Sequence, residues 1–151
     1  MTGRWRLSGP VVTLLLALLI HLIGMLLIKG FGTTFGVRAM LVLAALLAIA
    51  SIGQTLVILL GGIDLSIPFV IGFANVAAAQ LYGQGMPFAI VLPGVILAAM
   101  LVGAFNGALS SILAIHPLIV TLGTGTTLQG AVQLWTRGFP TGGAPAWVQK
   151  F

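Results

Sequence analysis

Acidic residues and cysteine are almost absent from this 151-residue sequence. The lack of any cysteine excludes a disulfide framework, a thiolate metal site and a cysteine nucleophile. The only carboxylate side chain belongs to Asp64, so the chain cannot by itself supply the two carboxylates of an acid–base pair or of an aspartyl intramembrane protease. A Gly-x-x-x-x-Gly-Lys motif is also missing, which excludes a P-loop nucleotide site within these residues.

Charge of either sign is scarce. Charged residues make up 5% of the chain and hydrophobic residues 60%, and the mean hydropathy is +1.24. A soluble domain carries about 25% charged residues, so this chain could not cover a globule with polar groups. The net charge of +5 does not indicate nucleic-acid binding, because the basic residues form no stripe and fall near segment ends: Arg4, Arg6, Lys29, Arg38, Arg137 and Lys150.

Long apolar runs predict an all-α fold, a polytopic transmembrane helical bundle with about five hydrophobic segments. The runs are Val11–Ile28, Ala39–Leu60, Pro68–Leu81, Phe88–Ile115 and Leu118–Trp135. The first is too long for a signal-peptide core and offers no small-residue cleavage site, so we expect it to be retained. Residues 1–151 are therefore predicted to form one transmembrane domain, and the most polar of its helices is the last.

The segment Gly61–Ile67 is predicted to break the helical pattern. It contains two glycines and Asp64, and Pro68 follows it in a position that suits a first helical turn. A helix from Pro68 to Leu81 would extend roughly 21 Å at 1.5 Å per residue, too short for a hydrocarbon core of ~30 Å. The break is therefore expected inside the membrane, buried in protein, with Ser66 or Asp64 capping the helix.

Asp64 is a candidate functional residue for a physical reason. A carboxylate at bilayer depth costs roughly 2.5–3.5 kcal/mol on insertion scales, so a chain that keeps one there has a use for it. A purely structural role, capping the helix that follows, stays open. Polar side chains on the neighbouring segments are candidates for the same pathway: Gln54, Asn75, Asn106, Thr121 and Thr124.

Small residues recur every fourth position in the fourth run, at Ala99, Gly103, Gly107 and Ser111. This spacing predicts a face on which two helix backbones approach closely, with Asn106 beside it as a hydrogen-bonding group. Chance recurrence in an alanine-rich helix is the alternative.

Catalytic and metal sites find little support. Ser110 or Ser111 with His116 could imitate a nucleophile and base, but no acidic residue is placed to orient the histidine. A metal site from His21, His116 and Asp64 would need three distant segments to meet. We therefore predict no catalytic residues, no metal and no cofactor, and two function classes remain: a component of a transport pathway, or a structural membrane subunit that only packs.

Two blocks of sequence resemble one family. Gly61-Gly62-Ile63-Asp64-Leu65-Ser66 is similar to the Gly-Gly-Ile-Asp-Leu-Ser signature of the permease subunits of monosaccharide ATP-binding cassette (ABC) importers of the ribose, xylose and galactose type. A second block, Phe105-Asn106-Gly107 followed by His116 to Thr124, resembles the family's asparagine-glycine segment and the proline-containing stretch after it. Leu118 stands where the family often has phenylalanine, and Pro68 is unusual after the serine.

The resemblance implies a transport mechanism. A periplasmic or extracellular binding protein delivers the solute to a dimer of permease subunits, and a separate cytoplasmic ATPase switches their cavity between outward and inward access. Gly61, Gly62, Asp64 and Ser66 would then lie in the motif at the translocation pathway. The expected location is the bacterial inner membrane, as a multi-pass protein in contact with lipid. Related permeases carry other cargo, so an autoinducer, a nucleoside or a branched-chain amino acid stays possible.

The resemblance also bears on the extent and orientation of the chain. Family members are about twice as long, which identifies residues 1–151 as an expected N-terminal half, with residues 137–151 as an incomplete external loop. The flanks of the first helix carry two basic residues on each side, so charge does not orient the chain. The resemblance implies an inside N-terminus.

Overall fold

The computed structural model describes residues 8–149, and within them the fold is entirely helical. Its five helices are α1 (Gly9–Leu27), α2 (Thr34–Leu59), α3 (Ile67–Gly83), α4 (Phe88–Ile112) and α5 (Pro117–Thr136). Each coincides with one predicted apolar run, so the prediction of a helical bundle with five segments is confirmed. The terminal residues predicted to flank the membrane, Arg4, Arg6 and Lys150, lie outside the described residues.

Three of the helices, α1, α2 and α4, are long and apolar enough to cross a membrane. Helix α5 has 20 residues but is not in that group, in keeping with its threonines and glutamines. Helix α3 has 17 residues, roughly 26 Å at 1.5 Å per residue, and is still shorter than a ~30 Å hydrocarbon core.

The chain divides into two compact units, Met1–Ile49 and Ala50–Phe151. In the first unit a turn joins α1 to the first part of α2, and Gly30 takes the left-handed φ of +89° that this turn needs. The Phe31 ring lies 5.4 Å from the ring of His21 and covers Gly24, where an added Cβ would lie 2.6 Å from Phe31 Cε1. Neither α1 nor α2 contains a buried residue, as expected of helices whose apolar side chains face lipid.

The second unit contains the core, formed where α3, α4 and α5 pack against one another. Its buried hydrophobic centre consists of Ala77, Val91 and Val95, with Phe73 packed against it. Gly125 of α5 allows α3 to approach closely, because an added Cβ would overlap the Phe69 ring. The missing side chain at Gly125 therefore brings α5 close to α3.

The predicted interruption of the helical pattern is confirmed, and its position inside the membrane stays a prediction. Helix α2 ends at Leu59, and Gly61 adopts a left-handed φ of +82°, which an L-residue other than glycine rarely takes. Helix α3 begins at Ile67, one residue earlier than Pro68, and leaves residues 60–66 outside any helix. Of the two expected caps, Ser66 is wrong, because its hydroxyl makes no bond to the helix, whereas Asp64 Oδ1 accepts the backbone N–H of Ser66 just before the helix begins.

Two further helix ends differ from the sequence-based expectation. Helix α4 stops at Ile112 rather than near Ile115, because Ala114 adopts a left-handed φ of +52° that ends the helix. Helix α5 begins at Pro117, where the side chain of His116 accepts the Leu118 N–H at 3.3 Å as an N-terminal cap.

The segment after α5 folds back onto the end of α3, which sequence reasoning did not anticipate. Gln80 Oε1 accepts both the Thr141 N–H at 2.9 Å and the Thr141 hydroxyl at 3.2 Å. The Gly143 N–H donates to the Ala79 carbonyl at 3.3 Å. Gly142 permits this approach, because its φ is +120° and an added Cβ would overlap the Ala79 carbonyl oxygen.

We expect Gly142→Ala to lift this segment off α3. An alanine that kept the left-handed conformation would cost about 1–2 kcal/mol and would clash with the Ala79 carbonyl. If the segment moves away to avoid this clash, its exposed hydrogen bonds to α3 are lost. Hydrogen exchange at Thr141 and Gly143 and the thermal unfolding midpoint measure the effect. Gly143→Ala is the matched control, since its added Cβ meets nothing within 4 Å. Equal exchange and equal midpoints in the two variants would contradict this account.

Candidate functional site

A chain of hydrogen bonds fixes Asp64 in the segment between α2 and α3. Asp64 Oδ1 accepts the Ser66 N–H at 2.7 Å and the Ser66 hydroxyl at 2.6 Å. Asn106 Nδ2 of α4 then donates to the same hydroxyl oxygen at 3.0 Å. Ser66 is 2% exposed and Asn106 is 4% exposed, so these bonds form away from solvent. The carboxylate is thereby connected to α4 through a single serine.

Thr121 of α5 holds the same segment from the other side. Its buried Oγ1 accepts the Leu65 N–H at 3.0 Å and donates to the Ile63 carbonyl at 3.4 Å. The N–H groups of residues 60–62 still bond carbonyls at the end of α2, but residues 63–66 lie beyond these bonds, and their backbone groups need partners elsewhere. The hydroxyl of Thr121 supplies them for two consecutive peptide groups around Asp64.

Gly62 lies where the end of α2 meets the start of α5. It is buried, and an added Cβ would lie 3.2 Å from Val57 Cγ1 and 3.3 Å from Pro117 Cγ. The two glycines of the motif thus serve different needs: Gly61 supplies an unusual backbone conformation, and Gly62 permits a close approach.

An open cavity of about 360 Å³ adjoins this hydrogen-bonded segment. Its wall combines apolar side chains, which are Val57, Leu60 and Pro117, with polar side chains, which are Asp64, Asn106, Ser110, Ser111 and Thr121. Gly103 and Gly107 complete the lining, and a Cβ added at either would meet nothing within 4 Å. The cavity remains open partly because these two positions carry no side chain.

The predicted pathway residues divide into two groups. Asp64, Ser66, Asn106 and Thr121 meet in one connected cluster, with Gly62 beside it. The other four do not join this cluster or line the cavity in the described chain, and one of them, Gly61, supplies the turn after α2. Asn75 is exposed on α3, Thr124 is half-buried on α5, and Gln54 is half-buried on α2 with its Oε1 buried and unpartnered among residues 8–149.

The small-residue face does not pack against a helix within the described chain. Gly103, Gly107 and Ser111 are exposed, Ala99 is half-buried, and the Ser111 hydroxyl donates to its own helix at the Gly107 carbonyl, 2.7 Å away. The face lines the cavity instead, and its contact with another helix stays a prediction. Asn106 bonds Ser66, as described above, rather than a group across this face.

Sequence reasoning missed the apolar half of the cavity, Val57, Leu60 and Pro117. Apolar side chains are common throughout this sequence, so these three could not be singled out. They line one cavity because segments about sixty positions apart meet at Gly62. Of the side chains considered for catalysis or metal binding, Asp64, Ser110 and Ser111 line the cavity. His116 caps α5, and residues 8–149 contain no group of three metal-binding side chains.

Comparison with known proteins gives one family. The family described as branched-chain amino acid transport system permease component matches residues 36–150. A galactofuranose transporter permease protein of Escherichia coli is 37% identical over 144 residues, which cover 89% of this chain and 41% of the relative. A ribose import permease protein of Haemophilus influenzae is 36% identical over 93 residues, which cover 62% of this chain and 29% of the relative.

The names of the relatives extend to another cargo. An autoinducer 2 import system permease protein of Shigella flexneri is 34% identical over 107 residues, which cover 71% of this chain and 31% of the relative. The chain thus spans between 29% and 41% of the length of these three relatives. No solved structure matches the chain significantly.

Proposed function

Because the chain belongs to the permease components of ABC importers, in the family named for branched-chain amino acid transport, we propose that it forms part of a translocation pathway. It is a multi-pass helical protein of the bacterial inner membrane. The observation that carries the proposal is the cavity beside Asp64, whose lining includes two buried polar side chains, Asn106 and Thr121, in a chain of 60% hydrophobic residues. A carboxylate and hydrogen-bonding groups on one cavity suit the passage of a polar solute.

The proposed cargo is a monosaccharide or a similar small polar solute. Two of the relatives above are named for galactofuranose and ribose. The carboxylate of an amino acid would be repelled by Asp64, and the cavity lining in the described chain contains no lysine or arginine to offset this repulsion. A neutral solute with hydroxyl groups fits the carboxylate, amide and serine hydroxyls without such a cation.

The proposed assembly contains further subunits. A cytoplasmic ATPase hydrolyses ATP, a periplasmic or extracellular binding protein delivers the solute, and a second permease subunit completes a dimer. In this assembly the permease moves the solute and catalyses no covalent change. Asp64 and its hydrogen-bonded neighbours shape the pathway, while the energy comes from the partner chain.

Transport by the reconstituted importer tests the proposal. Proteoliposomes that contain the permease, its ATPase and its binding protein should take up radiolabelled D-ribose or D-galactose when ATP is supplied to the ATPase. Excess unlabelled sugar should compete, and excess leucine should not. Uptake of leucine in preference to either sugar would overturn the proposed cargo, and an absence of ATP-dependent uptake of every solute would overturn the proposed function.

We expect Gly103→Leu and Gly107→Leu to lower uptake at least tenfold. A leucine at either position extends into the cavity, and nothing in the described chain stands within 4 Å of the new Cβ to prevent folding. Gly94→Leu is the matched control, because Gly94 lies on α4, has equally open surroundings and is outside the cavity. Loss of assembly in Gly103→Leu and Gly107→Leu would favour a subunit that only packs, and unchanged uptake in all three variants would contradict the role of the cavity.

A further inference from the structure

Two acceptor atoms of the cavity lining have no hydrogen-bond donor within residues 8–149. Both bonds to Asp64 end at Oδ1, so its Oδ2 is left without a donor from the described chain. Asn106 donates through Nδ2, while its Oδ1 is buried and unpartnered. Buried polar atoms in folded proteins are nearly always paired, so an unpaired amide oxygen beside a cavity indicates a partner that is not part of the described chain.

The orientation of the two groups is already determined by their other bonds. Ser66 occupies Asp64 Oδ1 and also receives the Asn106 Nδ2 donor, which leaves both unpaired oxygens to accept rather than donate. A single partner that satisfies both oxygens must therefore supply at least two donors. Asn106 is 4% exposed and Ser66 is 2% exposed, so neither can turn to water without disrupting the cluster.

The apolar part of the cavity lining indicates the rest of the partner's chemistry. Val57, Leu60 and Pro117 present only carbon atoms, and no lysine or arginine lines the described cavity. A small cation would satisfy the acceptors but leave this apolar wall without a contact. A molecule with hydroxyl donors on one side and C–H groups on another uses both walls, and the cavity of about 360 Å³ lies within the ~300–1,000 Å³ range of small-molecule sites.

We propose that this cavity is a binding site of the permease itself for one ring of a polyhydroxylated solute, held by hydroxyl donors to Asp64 Oδ2 and Asn106 Oδ1. The C–H face of the ring lies against Val57, Leu60 and Pro117. The assignment rests on the proposed transport function and adds to it the two atoms that select the solute. Asn106 Oδ1 is closed to solvent in this conformation, so the ring reaches it after a shift of the cavity wall.

Deoxy sugars test this site without any mutation. Binding of radiolabelled D-ribose and D-galactose is measured on the detergent-purified permease–ATPase complex, with no binding protein, together with competition by each monodeoxy analogue. Removing the hydroxyl that reaches the carboxylate should weaken binding roughly 10- to 100-fold, and removing the one that reaches the amide about 2- to 10-fold. Analogues altered elsewhere should bind like the parent sugar.

Asn106→Leu then identifies the amide. In this variant the analogue that lacks the hydroxyl predicted to reach Asn106 should bind as well as the parent sugar. The reason is that the amide oxygen that accepts from this hydroxyl is absent. Thr127→Val is the control, since its exposed hydroxyl bonds only the Gly123 carbonyl of its own helix at 2.8 Å, and it should keep the wild-type preference. If Asn106→Leu does not fold, competition by the deoxy sugars on the wild-type protein still tests whether the cavity binds the sugar.

The failures of the two proposals are distinguishable. Saturable ATP-dependent uptake without saturable sugar binding to the permease–ATPase complex would overturn this site and leave the transport function standing. A deoxy series with no preferred hydroxyl, or binding of Na⁺ that sugar does not affect, would overturn it as well. Loss of uptake of every solute by the wild-type importer would instead overturn the transport function on which the site depends.

Discussion

Replacing Asp64 by alanine should reduce ATP-dependent uptake to background, and replacing it by asparagine should reduce uptake at least tenfold. The carboxylate accepts both the N–H and the hydroxyl of Ser66 through one oxygen and presents the other beside the cavity. At the predicted bilayer depth of Asp64, removing the charge makes insertion easier by roughly 2.5–3.5 kcal/mol, so expression should not suffer. The measurement is uptake of radiolabelled sugar in proteoliposomes with the ATPase and binding protein present.

The two substitutions separate charge from shape. Asparagine preserves the size of the side chain and an oxygen that can accept from Ser66, whereas alanine removes both oxygens. Uptake by Asp64→Asn near the wild-type level, with loss in Asp64→Ala, would make Asp64 a positioning residue for the segment. Wild-type uptake by both variants, at normal expression and assembly, would contradict any role in transport and leave a dispensable structural residue.

The helices and the break could be predicted from sequence because their signals are local. Apolar runs predict spanning helices wherever they are long enough, Gly61 permits the left-handed turn that ends α2, and Pro68 suits the first turn of α3. The shortfall in the length of α3 also followed from counting residues. Even here the alternative of a cap by Ser66 was wrong, because its hydroxyl bonds Asp64 and Asn106 instead of the helix N–H groups, and the bond to Asn106 depends on α4 being nearby.

The contacts between distant segments could not be predicted in this way. Nothing in the sequence around Gln80 indicates that its amide oxygen accepts from Thr141, sixty-one positions later. The spacing of Gly103 and Gly107 indicates an open helix face but not its neighbour, and in the described chain that neighbour is a cavity. Asn75 and Thr124 were predicted at the pathway because they are polar, but they lie outside the cavity lining. The sequence of a helix does not indicate which neighbours its polar side chains will contact.

Thr121→Val should destabilise the segment that carries Asp64. Valine has nearly the shape of threonine, so the buried site stays filled, but the Leu65 N–H loses its acceptor and the Ile63 carbonyl loses its donor. A buried polar group left without a partner costs about 1–3 kcal/mol, and two are affected, the Ile63 bond being the weaker because it is 3.4 Å long. The thermal unfolding midpoint should fall, and exchange of the Leu65 amide hydrogen should accelerate.

Uptake should fall together with stability in Thr121→Val, because the orientation of Asp64 depends on the peptide groups on either side of it. Thr127→Val provides the comparison on the same helix: its hydroxyl is exposed and bonds only the Gly123 carbonyl, so its loss should leave the midpoint and uptake unchanged. Faster Leu65 exchange in Thr121→Val alone would assign the effect to the segment between α2 and α3. Equal behaviour of the two variants would contradict the role of Thr121, since the chemical change is the same and only the partners of the hydroxyl differ.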